Sequence, residues 1–423
     1  MLFIIYACLH LPAMACLWDS DTLAQEAEGK LDVVLTSVGW FDRHPPLYYE
    51  MRLSRVSAAI RQEPGRLEHY DDAAVACDRL GRQDEAISWM EQKKKIMDSL
   101  PPAQLGAHPY RYLANLGTFH AHRWVRSKDR GKNFADLDTA IRLVSEAIEI
   151  NPAAHFNREP GQLLVLEWLR DGFRAPAELG KKSDSLQPLF IPSDKRSGDR
   201  SRFDLTQSMC GLIQLGAAWE SIDVYAWLVY SLGRRGGLNE ESNPSLALLP
   251  AMRCADLVLT ARRRPLHPNS SFHAFCTWSD EQLAQMKEPE KLPSGYAQGF
   301  VMMLCGRPGP GESADDIVAF YQEARQAADK RHKAKTAYAL AKLQRGEHPD
   351  THPEFWGGWS EPSVPRLPAS TLTEYLFGSS MDGWLKSHPK AQSWALVCLG
   401  GLSVMLLVHR LRRFRLSNLT PPR

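Results

Sequence analysis

Across its 423 positions the chain has almost no run in which apolar and polar residues alternate, so there is little from which to build a sheet. It also lacks an excess of either charge. Lys and Arg number 51 against 49 Asp and Glu, for a net charge of +2, which gives no basis for a nucleic-acid surface or for capture of an acidic substrate. The eight cysteines include no Cys-x-x-Cys pair, so no paired metal or redox pattern is available. No His-Glu-x-x-His, no Gly-x-Ser-x-Gly and no glycine-rich turn after a strand occurs. Gly306 to Ser313 is glycine-rich, but no lysine follows to meet phosphates and its prolines remove amide donors, so it reads as a turn. These absences point to a non-enzymatic protein with no cofactor.

What the chain does have is helical periodicity, and between Tyr70 and Pro152 one hairpin pattern occurs twice. Tyr70, Ala74, Ala86 and Met90 mark the first copy; Leu113, Leu116, Gly117, Ala140, Ala147 and Pro152 mark the second. Two antiparallel helices approach closely only where small residues meet, which is the part assigned to Ala74 and Gly117, with Ala86 and Ala140 opposite them. Pro152 cannot continue a helix and disfavours helical backbone at Asn151, so it ends the unit. Gly81 to Ala86 reads as an inter-helix turn, with Gly81 as the stop and Asp84 as the cap. Tyr49, Val56, Ala59 and Ile60, running to Pro64, supply the second helix of a partial third copy upstream.

These spacings resemble the tetratricopeptide repeat, a helix–turn–helix unit of about 34 residues. The run from Ala15 to Glu159 is similar to exported bacterial proteins of that family, over about a third of the chain. The resemblance implies an all-α superhelix of stacked hairpins outside the cytoplasm, binding a protein or peptide partner; it implies no activity. Groove-facing candidates on the first helices are Asp71, Asp78, Arg79, Arg111, Thr118 and His122. The chain departs from the pattern in three places. About ten residues rich in Lys and Arg are inserted around Val125 to Phe134, Lys93 stands where alanine is usual, and Pro101 arrives about three residues late.

The expected organisation is a repeat array over 16–176, a linker or inserted loop over 177–204 and a second, less regular helical region over 205–346. Leu163 to Phe173, Leu205 to Gly216, Trp219 to Gly233, Ser245 to Arg263 and Asp315 to Gly346 carry helical periodicity in this stretch. Lys330, Arg331, Lys333 and Lys335 make one face of the last helix basic, which reads as solvated surface. His267, His273 and Cys276 are ligand-type residues at short spacing on a Pro- and Ser-rich loop. A zinc site needs a fourth ligand and a paired arrangement, so they make a weak metal candidate. They are also the best support for the alternative function, an enzyme or metal-binding protein with its site in 205–346 and the repeats as docking arm.

Both ends suggest a membrane setting. Residues 1–15 form an apolar stretch ending in the small-x-small motif Ala13-Met14-Ala15, as a cleaved signal peptide does, although no Lys or Arg precedes Lys30. Cleavage there would leave Cys16 first, a weak candidate for lipidation without the usual leucine three positions before it. Near the other end, 391–409 is apolar and followed by Arg410, Arg412, Arg413, Arg415 and Arg423. Eighteen residues of helix span about 27 Å, close to the ~30 Å hydrocarbon core. The expectation is a single transmembrane helix at 391–409, a juxtamembrane stalk over 347–390 and a basic cytoplasmic tail over 410–423. With five positive charges in the tail, the rest of the chain carries −3. The partner would then be an envelope protein and the ectodomain extracytoplasmic.

Overall fold

The computed structural model describes residues 17–26, 31–152, 158–174, 204–216, 218–233, 244–268, 270, 272–273, 276 and 314–367. Their elements are α1 (Ser20–Glu26), α2 (Val33–Val38), α3 (Pro46–Gln62), α4 (Leu67–Arg79), α5 (Gln83–Ser99), α6 (Pro102–Leu105), α7 (His108–Arg126) and α8 (Ala135–Ile150). Then follow α9 (Arg158–Arg174), α10 (Leu205–Gln214), α11 (Ile222–Gly233), α12 (Pro244–Ala255) and α13 (Ala314–Leu343). Among the described residues there is no strand, in keeping with the missing alternation.

The hairpin turns follow from local chemistry. After α4 the chain enters the left-handed region at Gly81, with φ of 80°. There Gly81 N–H donates to Asp78 O at 2.9 Å and Arg82 N–H to Cys77 O at 2.8 Å, closing the helix end. Asp84 is not the cap expected of it. Arg82 holds that position without a side-chain bond, and Asp84 lies in the first turn of α5, where its charge still suits the helix N-terminus. At Gly117 a Cβ would stand 3.0 Å from Val144 Cγ2, 3.1 Å from Leu143 Cβ and 3.3 Å from Ala140 O. The absence of a side chain is therefore what lets α7 and α8 cross so closely. α8 ends at Ile150, just ahead of Pro152, and α3 at Gln62, just ahead of Pro64.

From α3 to α9 each long helix packs on the next, through α4, α5, α7 and α8, and α4 also touches α7. The succession continues from α9 to α10, α11 and α12, then to α13, which returns to pack on α2 and α3. The short helix α2 sits among α10, α12 and α13. Its left-handed end at Gly39 is pressed against an indole: a Cβ there would lie 2.3 Å from the ring tip of Trp219. α11 is the most apolar element, and its residues from Val224 to Val229 are all buried. Trp227 packs edge-on against Trp168 of α9 at 5.7 Å, joining the later helices to the array in one apolar core.

Residues 347–367 differ from the loose stalk expected of them. His348 and Phe355 are buried, and Phe355 joins a cluster with Tyr48, Ala339 and Leu343. Asp350 pairs with Arg52 of α3 at 2.6 Å, and Glu361 pairs with Arg331 of α13. The stretch lacks period because it docks through single side chains at irregular intervals. Among the described residues no helix is long and apolar enough to cross a membrane. The expected signal peptide at 1–15, Cys16, nearly all of the 177–204 linker, the span at 391–409 and the tail at 410–423 lie outside the described residues.

Candidate functional site

α4, α7 and α9 carry an unusual number of buried polar groups on the faces turned toward one another. Asp71, Asp72 and Asp78 on α4, Asn115, Thr118 and His122 on α7, and Arg158, Glu159 and Gln162 on α9 are all buried. Buried polar groups must be paired to be tolerated, and here the pairing follows a rule. Asn115 Nδ2 donates to Asp71 Oδ1 at 3.1 Å, His122 Nδ1 lies 2.8 Å from both Asp78 oxygens, and Gln162 Nε2 donates to Thr118 Oγ1 at 3.1 Å. Every one of these bonds joins residues 44 apart in sequence. Equivalent positions of successive first helices therefore contact one another as a ladder. Its period is ten residues longer than a unit of about 34. The expected insertion around Val125 to Phe134 falls only between Thr118 and Gln162, whereas the steps from Asp71 to Asn115 and from Asp78 to His122 take in the short helix α6.

The upper end of this ladder grips residues 17–22. Trp18 N–H donates to Asn115 Oδ1 at 2.8 Å while Asn115 Nδ2 donates to Trp18 O at 3.0 Å, so one amide side chain satisfies both backbone groups of one residue. Arg158 Nη2 donates to Leu17 O at 3.2 Å, and the Ser20 amide and hydroxyl both donate to Asp72 Oδ1, at 2.9 and 3.0 Å. The Trp18 ring stands edge-on to Tyr110 at 5.2 Å, with the Arg111 guanidinium 5.5 Å from its centre. Burial raises the Glu159 carboxyl, opposed by Arg158 and by hydrogen bonding from Tyr110 and Trp18. Asp19 then caps α1 reciprocally with Thr22: Thr22 N–H donates to Asp19 Oδ1 at 2.9 Å and Asp19 N–H donates to Thr22 Oγ1 at 3.0 Å.

Two ion clusters hold this arrangement. Lys93 of α5, fully buried, places Nζ 2.7 Å from both Asp71 oxygens. Burial still keeps its ammonium below the usual value. The lysine that departs from the repeat pattern thus holds Asp71, Asp71 orients Asn115, and Asn115 holds the Trp18 backbone. In the second cluster the buried Arg52 guanidinium reaches Asp21 at 2.7 and 2.8 Å and Asp350 at 2.6 and 2.9 Å, tying the segment, α3 and the 347–367 stretch together. Burial would raise Asp350, but Arg52 brings it below the usual range. Asp19, also buried and beside Asp21, is pushed up to about 6.

The six expected groove residues are thus placed as follows. Asp71, Asp78, Thr118 and His122 are in the buried ladder. Burial would raise the Asp78 carboxyl, but His122 and Gln83 bring it below the usual range. Arg79 is half-buried and donates to Leu215 O at 2.5 Å, bridging α4 to the end of α10; Arg111 is half-buried beside Trp18. They share a face, as expected, but that face is turned to the chain's own segment and to α10. Asn115, Asp72 and Arg158, which make the backbone contacts, were not singled out in the sequence. The 44-residue offset between polar residues could have found Asn115, opposite Asp71, but not Asp72 or Arg158, whose counterparts at that offset are Leu116 and Ala114.

His267, His273 and Cys276 do not converge as ligands. His267 stacks on Trp168 at 3.9 Å, His273 Nε2 lies 3.0 Å from His267 O, and Cys276 Sγ contacts Phe272 O at 3.4 Å and Arg263 O at 3.7 Å. Each therefore serves the loop's own packing. Burial and His273 push His267 down to about 4. Among the described residues no group of three His, Cys, Asp or Glu side chains is arranged to hold a metal ion. No family model, no curated protein and no solved structure matches the chain.

Proposed function

We propose that this chain is a helical-repeat scaffold of tetratricopeptide type, with lengthened units, that holds a short peptide segment of a partner, leading into a helix as residues 17–22 do, along α4, α7 and α9. The observation that carries this reading is the grip on residues 17–22. Asn115, Asp72 and Arg158 contact backbone groups, and a single aromatic anchor, Trp18, fixes the register. Contacts of that kind accept a segment of varied sequence that enters a helix after its anchor, provided that one aromatic residue is correctly placed. The chain's own segment then acts as a resident occupant that a partner segment replaces. The apolar run at 391–409, with the arginines after it, would anchor the scaffold in a membrane with the helical part extracytoplasmic, so the partner would be an envelope protein.

The test uses the full chain extracted in detergent and a fluorescent peptide of residues 17–22. Trp18→Ala loosens the resident segment, and the variant is expected to bind the peptide saturably. The unaltered chain should bind it at least about tenfold more weakly, because a tethered competitor acts at high effective concentration. Adding Asn115→Ala should remove binding. A folded Trp18→Ala chain that takes up no peptide would contradict the reading.

A further inference from the structure

A second polar feature lies away from the ladder, in a small cleft between residues 42–45, the middle of α13 and Trp356. Its lining includes Asp42, Arg43, Arg331, His332, Lys335 and Thr336. The charges divide unevenly. Arg331 and Lys335 share Asp42, at 2.8 and 2.7 Å, and both also face Glu361, so two cations are matched by two carboxylates. Arg325, close to Arg43, has its own partner in Asp329 at 2.8 Å. Arg43 makes no ion pair among the described residues.

Arg43 is also held in place. Its guanidinium lies 4.8 Å from the centre of the Trp219 ring and 5.5 Å from that of Phe41. Its Nε and Nη2 are buried and make no hydrogen bond; these two N–H groups form the parallel edge with which arginine grips a carboxylate or phosphate. Thr336 Oγ1, in the same lining, is likewise buried without a hydrogen bond. Burial, with Arg325 and Arg253 nearby, lowers Arg43 to about 10, so it is still charged at neutral pH. The same burial, with Arg43 beside it, pushes His332 down to about 4 and leaves it neutral there. A fixed cation with an unused fork, in the same lining as an unused hydroxyl, is costly when left unmatched.

We propose that this cleft binds a small oxyanion, with the side-on edge of Arg43 gripping two of its oxygens and Thr336 donating to it. The shared chemistry is a pair of anionic oxygens on one atom, as in phosphate, sulfate or a carboxylate. The geometry uses neither the peptide segment nor the ladder, so the proposal stands apart from the scaffold reading.

The full chain is titrated by calorimetry with inorganic phosphate, sulfate and acetate at constant ionic strength. Saturable binding of one anion per chain is expected for at least one of them. A tetrahedral preference would show as phosphate and sulfate exceeding acetate, and a carboxylate site as the reverse. Arg43→Gln should weaken binding at least about tenfold, and Thr336→Val, which keeps the side-chain shape, severalfold. Lys333→Gln, at an exposed position on the same helix, should leave it unchanged. If Arg43→Gln fails to fold, Thr336→Val decides. No saturable binding of any of the three anions, or equal affinity in Thr336→Val and the unaltered chain, would overturn the proposal.

Discussion

The array from α3 to α9 and the helices after Asp204 are both buried, but in different proportions of apolar and charged groups. Among the described residues the later region encloses only a few charged ones, such as Asp223 and Arg253. α11 presents an unbroken apolar run from Val224 to Val229 to its neighbours. The array encloses Asp71, Asp78, Lys93, Asn115, His122 and Glu159, with water almost excluded. Apolar packing is non-directional and tolerates small shifts, whereas a buried ion or amide needs its partner at one distance and angle. The later helices therefore supply cohesion, while the array spends some of its stability on fixing the register of neighbouring hairpins and of residues 17–22. The proposed function, holding a segment in one register, calls for the second kind of interior.

That contrast can be broken at its polar end. Asp71→Ala leaves Lys93 buried without its partner and is expected to cost about 3–5 kcal/mol in denaturant unfolding. Replacing both, as Asp71→Leu with Lys93→Met, should cost much less, because no charge is then stranded. A double variant as unstable as the single one would mean that the pair is not isolated from water. At the seam where α9 meets the later region, a Cβ on Gly172 would lie 2.1 Å from His267 Nε2. Gly172→Ala should cost about 1–3 kcal/mol by overpacking, and His267→Ala in the same chain should recover part of it. Simple additivity of the two changes would show that the ring is free to move away.

The pH response sharpens the same comparison. Asp19, raised to about 6, keeps its proton in the folded chain where the unfolded chain has lost it, so its contribution falls as pH rises from about 4 to 6. His267, lowered to about 4, stays neutral in the folded chain where the unfolded one is protonated, so its contribution rises with pH from about 4 to 6.5. Segment and later helices thus pull in opposite directions over nearly the same window. Urea midpoints at pH 4.5 and pH 6.5 should reveal it. Asp19→Asn is expected to gain on the unaltered chain more at pH 6.5 than at pH 4.5, and an equal gain at both would refute the assignment. The smallest effect belongs to the surface: Asp98→Asn breaks an exposed pair with Lys94 at 2.5 Å and should change stability by no more than about 0.5 kcal/mol.

The hairpins were legible in the sequence because their signals are local. Gly117 against Ala140, Gly81 as a helix stop and the prolines at 64 and 152 act within a few residues or across one crossing, and each does in the structure what its chemistry dictates. The pairing of the polar residues was not legible. Charge in a sequence reads as surface, and nothing in the residues around Lys93 says that an aspartate 22 positions earlier will meet it. For the same reason Arg331 and Lys335 read as a solvated face, although both dock on Asp42 while Lys330 and Lys333 stay exposed. Residues 17–22 follow an apolar stretch of sequence and carry no period, so their place against α4, α7 and α9 emerges only from the fold. The 347–367 stretch is illegible for the same reason, its contacts being the single side chains of His348, Asp350, Phe355 and Glu361 at irregular intervals.

The central claim is that the array holds the segment leading into α1 by its backbone. Amide hydrogen exchange in the full chain tests it most directly, read at Trp18 and Ser20, whose N–H groups donate to Asn115 and Asp72. Slow exchange at both is predicted, with Trp18 alone accelerated in Asn115→Ala and Ser20 alone in Asp72→Ala. Fast exchange at both amides in the unaltered chain would contradict the account.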